Sequence, residues 1–214
     1  MAKLPFGLYG DMRGKAGNNV GRRLRGENIV SVKPQPSEKP PTATQLEDRA
    51  KFGFTVQFLV GLASIIKVGF KGYTEKMSAM NAAVSYNYKN AVLGIAPNLT
   101  IDYPELSFSR GSLETPDNTS IAGMGDGKVT FRWDKGYEVD QDLNKGSDLV
   151  NFVVYNPSKH RFVQLRNVVP RSLGVYELQL PAAHTGDEVH GYISLIATDG
   201  RVSNTVHVGH VLVI

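Results

Sequence analysis

Lys128-Val-Thr-Phe-Arg-Trp-Asp134 alternates apolar and polar residues at every step. Val129, Phe131 and Trp133 therefore fall on one face of a strand, and Lys128, Thr130, Arg132 and Asp134 on the other. That pattern allows one buried and one wet face, and it makes the only tryptophan a core anchor. Similar short runs recur from Ile101 onward, separated by turn residues such as Asn156-Pro157-Ser158-Lys159 and Asp199-Gly200-Arg201. The expected strands are Glu105–Arg110, Thr119–Ala122, Lys128–Asp134, Asp148–Asn156, His160–Asn167, Val175–Leu180, Glu188–Thr198 and Val202–Val213. Eight short antiparallel strands with tight connections predict a β-sandwich of immunoglobulin or fibronectin type III-like shape. The absence of cysteine favours the fibronectin-like variant, and it removes disulfides and thiolate ligands or nucleophiles.

Ahead of these strands the texture is helical. Thr42 with Gln45, or Thr44 with Glu47, forms a capping-box pair before an apolar run. In that run Leu46, Ala50, Phe54, Phe58, Leu62 and Ile65 form one stripe, while Phe52, Val56, Leu59, Ala63 and Ile66 nearly fill the opposite side. A helix apolar on both sides must be covered on both sides, so Phe52, Val56, Leu59 and Ile66 are expected to form an assembly interface. Gly69 and Gly72 end this helix. A second is expected from about Thr74 to Val92, closed by Gly94 and Pro97.

Residues 1–41 differ from both regions, being rich in glycine, proline and positive charge. Asn18–Arg25 and Ile29–Lys33 flank Gly26-Glu27-Asn28 and predict a two-stranded β-ribbon, marginal by itself in water. Pro34, Pro36, Pro40 and Pro41 then keep the chain extended. The fold class is thus α+β: a basic arm over residues 1–41, a helical hairpin over 42–97 and a sandwich over 98–214. The net charge of +4 is concentrated in the arm and the start of the first helix. Residues 1–51 carry ten basic and five acidic side chains, and residues 52–214 carry fourteen and fifteen. Arg13, Lys15, Arg22, Arg23, Arg25 and Lys33 are the candidate subunit or anion contacts. In a ribbon Arg23 and Arg25 share one face and Arg22 takes the other, so the cluster is not a single-sided strip.

No catalytic or metal-binding pattern emerges. Gly10 to Ala16 has one residue too few between its glycines for a phosphate-binding loop, and Ala16 stands where a magnesium ligand is needed. His207 and His210, three apart in a strand, are expected on opposite faces, and His160, His184 and His190 to stand alone. Asp134, Glu138, Asp140 and Asp142 lack the order of a calcium loop. No serine sits in Gly-x-Ser-x-Gly. Cofactors are not expected. Pro5 and nearby glycines interrupt any apolar signal core, and the run from Phe52 to Ile66 is too short to span a bilayer.

Several segments carry a resemblance. GKAGNNVGRRLRGENIVSVKP, PPTATQLEDRAKF, NAAVSYNYKNAV, FSRGSL, VVYNPSKH and LPAAHTGDEVHGYISLIATDGRVSNTVHVG resemble, in order and over nearly the whole chain, a family of uncharacterised proteins. That family, a domain of unknown function, is widespread in Bacteroidota and their phages. The resemblance implies an N-terminal arm, a helical hairpin and a fibronectin-like C-terminal domain, with no catalytic residues to carry over. The chain runs on past Gly209 with the apolar His210-Val-Leu-Val-Ile214.

Together these readings predict a non-enzymatic structural protein that forms homo-oligomers by arm exchange. The expected setting is a phage or phage-like particle, as a capsid, tail or accessory virion protein contacting other particle proteins, synthesised in a host cytoplasm. One alternative is a nucleic-acid-binding protein using the basic arm. Another is a surface or secreted adhesive module.

Overall fold

The computed structural model describes residues 10–24, 26–36, 38–75, 77–135 and 147–214. Two compact units divide at Thr42. The N-terminal unit is a meander of three antiparallel strands, β1 (Gly14–Ala16), β2 (Asn19–Leu24) and β3 (Glu27–Val32). The expected two-stranded ribbon thus gains a strand. Its turn is also tighter than expected, because Gly26 adopts a positive φ of 88° and lets β3 begin at Glu27.

The second unit, Ala43–Ile214, has three layers. Its middle layer is a four-stranded antiparallel sheet of β8 (Leu149–Asn156), β9 (Arg161–Pro170), β11 (Glu188–Ile196) and β12 (Val206–Leu212), in the order β12-β11-β8-β9. On one face lies a three-stranded sheet of β6 (Ser120–Gly125), β7 (Lys128–Arg132) and β10 (Val175–Gln179), with β7 in the centre. Val129, Phe131 and Trp133 meet Val150, Phe152, Val154, Ile193 and Leu195 in the core between the sheets, so Trp133 is buried as expected, while on the other face of β7 Lys128 and Arg132 are exposed but Thr130 is buried. Gly191 is needed there, because a Cβ would lie 2.6 Å from Ile121 and 2.8 Å from Phe131.

The other face of the four-stranded sheet is covered by helices α1 (Ala43–Val60), α2 (Ala63–Gly69) and α3 (Ala79–Asn90). Val153, Tyr155 and Tyr192 pack there against Leu59, Leu62 and Ile66. Burial on both faces explains the nearly unbroken apolar runs of β8 and β11. It also removes the expected boundary at residue 97, because the helices and the strands form one unit.

Other expectations change in detail. The helix starting at Ala43 puts Thr42 at the N-cap and Gln45 at N3. The first helical segment breaks at Gly61-Leu62 into α1 and α2, bent by 93°. A Cβ at Gly61 would sit 2.9 Å from Phe162, so the chain turns where it approaches β9. No single helix among the described residues is long and apolar enough to cross a membrane. Gly94 and Pro97 do not merely stop a helix but build a hairpin of β4 (Val92–Ile95) and β5 (Asn98–Ile101). Glu105–Arg110 is a loop rather than a strand.

That loop is held by side chains. Ser107 donates its backbone N–H to the fully buried Asn87 Oδ1 at 2.9 Å, and its carbonyl accepts from Asn87 Nδ2 at 2.7 Å. Thr205 Oγ1 accepts from the backbone N–H groups of Phe108 and Ser109, and Ser109 Oγ donates to the Ser203 carbonyl at 2.7 Å. A third tie joins the Asn156-Pro157-Ser158-Lys159 turn to the segment before β11. The buried Asn156 amide donates to Asp187 at 2.7 Å and lies 3.0 Å from His184 Nδ1, its oxygen accepts from Lys159 N–H, and Lys159 pairs with Asp187.

Candidate functional site

Among the described residues the arm's sheet has no core. Of its strand residues only Gly21 is buried, and Leu24, Val30 and Val32 are 49, 52 and 63% exposed. Arg13, Lys15, Arg22, Arg23 and Lys33 are all exposed, while Arg25 lies outside the described residues. The register pairs Lys15 with Val20, Val20 with Ser31 and Arg22 with Ile29, which puts Lys15 and Arg22 on one face with Val20, Leu24 and Ile29. Lys33 continues that alternation, its N–H bonded to the Asn18 carbonyl. Arg23 takes the opposite face, 3.6 Å from Asp11, an exposed pair that contributes little. That first face thus gathers Lys15, Arg22 and Lys33, together with the acidic Glu27 paired with Leu24.

The four expected assembly residues separate. Leu59 and Ile66 are fully buried in their own fold, so they cannot form an interface between subunits. Both turn toward the central sheet, a surface the sequence did not place beside them. Val56 packs at the edge of the same cluster, beside Phe58, whose ring meets Tyr155 and Phe162 edge-on. Only Phe52 stays open, at 56% exposure. With Met77, Val84 and Tyr88 it lines a groove of about 540 Å³ between α1 and α3, spanned by the bond from the Tyr88 hydroxyl to Asp48 at 2.7 Å.

Histidines gather where the sequence left them apart. β12 gains one residue at Val208, because Gly191 pairs with Gly209 while Tyr192 pairs with His207. This bulge reverses the parity, so His207 and His210 share a face with His190. His190 Nδ1 and His207 Nε2 lie 3.2 Å apart, one donating and the other accepting. The His210 ring is 5.7 Å from His190, and the Tyr103 ring packs on His190 at 4.1 Å. Burial, aided by His207, lowers the His190 pKa to about 4, and burial also lowers that of His207. Nearby, burial pushes the Tyr155 hydroxyl up to about 12, and it lies 3.2 Å from His160 Nδ1. His190 and Tyr155 are therefore neutral at pH 7. Among the described residues no group of three or more His, Cys, Asp or Glu is arranged to hold a metal ion. Glu138, Asp140 and Asp142 lie outside the described residues.

Residues 11–209 match a family of unknown function, DUF6266. No curated protein matches. Among solved structures the chain is similar to the fn3 domain of the human collagen alpha-1(XX) chain, at 18% identity over 48% of this chain and 92% of that one, with a TM-score of 0.33. It is also similar to a structure described as a myokine, at 18% identity over 45% of this chain and 95% of that one, with a TM-score of 0.30. The chicken CNTN1 FN1–FN3 domains align at 15% identity over 46% of this chain and 32% of that one, with a TM-score of 0.30.

Proposed function

The chain belongs to this family of unknown function, and from that premise we propose that it is a non-enzymatic structural protein which assembles with copies of itself through its arm. The observation that carries the reading is the three-stranded sheet exposed on both faces, with Leu24, Val30 and Val32 open to solvent. Three strands gain stability by packing a hydrophobic face, and this sheet buries only Gly21. Its outer strand β3 contains no proline and offers a row of backbone donors and acceptors to another strand. In the proposed exchange β3 pairs with a sheet edge of a neighbour, and Arg22, Arg23 and Arg25 meet acidic surface there. The setting we propose is a particle of phage type, where one subunit is repeated many times.

Deleting residues 1–36 tests the exchange. The remaining body keeps its buried clusters, so its mass by light scattering reads assembly directly; a drop to monomer is expected, and unchanged oligomers would sink the proposal. A second reading, nucleic-acid binding, is favoured by Lys15, Arg22 and Lys33 sharing one face. Three phosphate contacts would give a slope of about −3 in log affinity against log salt. Filter binding across a salt series distinguishes the two.

A further inference from the structure

Beneath α2 the helix-facing side of the central sheet does not close. A cavity of about 510 Å³ remains there, lined by Asn151 of β8, Gln164 and Arg166 of β9, Ser194 and Ile196 of β11, and Ile65 of α2. That volume lies within the range of small-molecule sites. Ser194 is only 1% exposed, yet among the described residues its hydroxyl has no hydrogen-bond partner. An unpaired buried hydroxyl is a standing cost that alanine would remove, so its place on a cavity wall reads as a group awaiting a ligand. Asn151 points the same way. Its Oδ1 accepts from Asn167 N–H at 2.8 Å, which fixes the amide, and among the described residues its Nδ2 donates to nothing. The Arg166 guanidinium makes one long contact of 3.5 Å with the Ser64 carbonyl and no ion pair among the described residues. Among the described residues no Asp or Glu lines the cavity.

We propose that this cavity binds a small organic molecule bearing an oxyanion, a carboxylate or a phosphate. Arg166 holds the charge, the Ser194 hydroxyl and Asn151 Nδ2 donate to the same ligand, and Ile65 and Ile196 cover its apolar part. A guanidinium with neighbouring neutral donors and no competing carboxylate suits a planar or tetrahedral oxyanion.

Amide chemical-shift titration of the full chain tests this with benzoate, glucuronate and phenyl phosphate as probes and benzyl alcohol as the neutral control. Saturable shifts at Asn151, Ser194 and Ile196 are expected for at least one oxyanion, and the carboxylate and phosphate arms tell the two sources apart. Arg166→Gln should weaken binding about tenfold or more. Ser194→Ala should weaken it about fivefold while leaving Tm unchanged or raised. The proposal is overturned by no saturable shifts with any oxyanion, by equal binding of benzyl alcohol, by unchanged affinity in Arg166→Gln, or by a lowered Tm in Ser194→Ala.

Discussion

Replacing Asn87 by alanine should expose how much one buried amide contributes. Asn87 sits on α3 at 1% exposure and makes three neutral hydrogen bonds: Nδ2 to the Ala83 carbonyl at 2.8 Å, Nδ2 to the Ser107 carbonyl at 2.7 Å, and Oδ1 from Ser107 N–H at 2.9 Å. The Ala83 carbonyl lies on its own helix; the two Ser107 bonds hold a loop without regular structure and lose their partner inside the protein. At about 1 kcal/mol for each bond, Asn87→Ala costs about 3 kcal/mol. For a body of this size that lowers Tm by about 6–12 °C. With a urea m-value of about 2 kcal/mol/M, the midpoint moves down by about 1.5 M. Asn87→Asp separates geometry from volume. It keeps the acceptor for Ser107 N–H but turns a carboxylate oxygen toward two carbonyls, so at neutral pH it should be less stable than the alanine variant. Lowering the pH protonates that carboxyl and returns one donor, so the gap to wild type narrows. A loss under about 1 kcal/mol in Asn87→Ala, or an Asn87→Asp gap that does not change with pH, would refute the reasoning.

Two further outcomes concern the covered face of the sheet. His190 is lowered to about 4 while facing His207 and His210 of β12, the Tyr103 ring, Tyr155 across the strand and Glu188 on its own strand. A histidine whose folded pKa lies below its unfolded value near 6.5 contributes stability that is full above that pH and is lost as pH falls toward 4. Denaturation of wild type and His190→Gln across this window should show a shallower pH dependence in the variant. On α1, Leu59→Ala should cost about 2–5 kcal/mol, whereas Phe52→Ser should change monomer stability by no more than about 0.5 kcal/mol. Chemical denaturation of both variants checks this contrast.

Strands with one exposed face were legible because period-two alternation survives there, as in β10. Parity was the weak point. The extra residue at Val208 moves His207 onto the face of His190, and its one mark in the sequence is the neighbouring Gly209, at a positive φ of 128°. The break at Gly61 was hidden for a different reason: it depends on Phe162, about a hundred residues away. The α1 stripes gave no sign of which side faced the sheet, so Leu59 and Ile66 looked as available as Phe52. The cavity did leave a trace, since Asn151 and Ser194 are polar interruptions inside the apolar runs of β8 and β11. A strand buried on both faces has no routine place for them.

Because alternate side chains of β8 and β11 belong to different cores, the central sheet is a party wall. Neither the helical layer nor the outer sheet can loosen without exposing the back of strands on which the other depends. The body therefore behaves as one cooperative unit, in which the amides of β8 exchange with solvent only when both neighbours let go together.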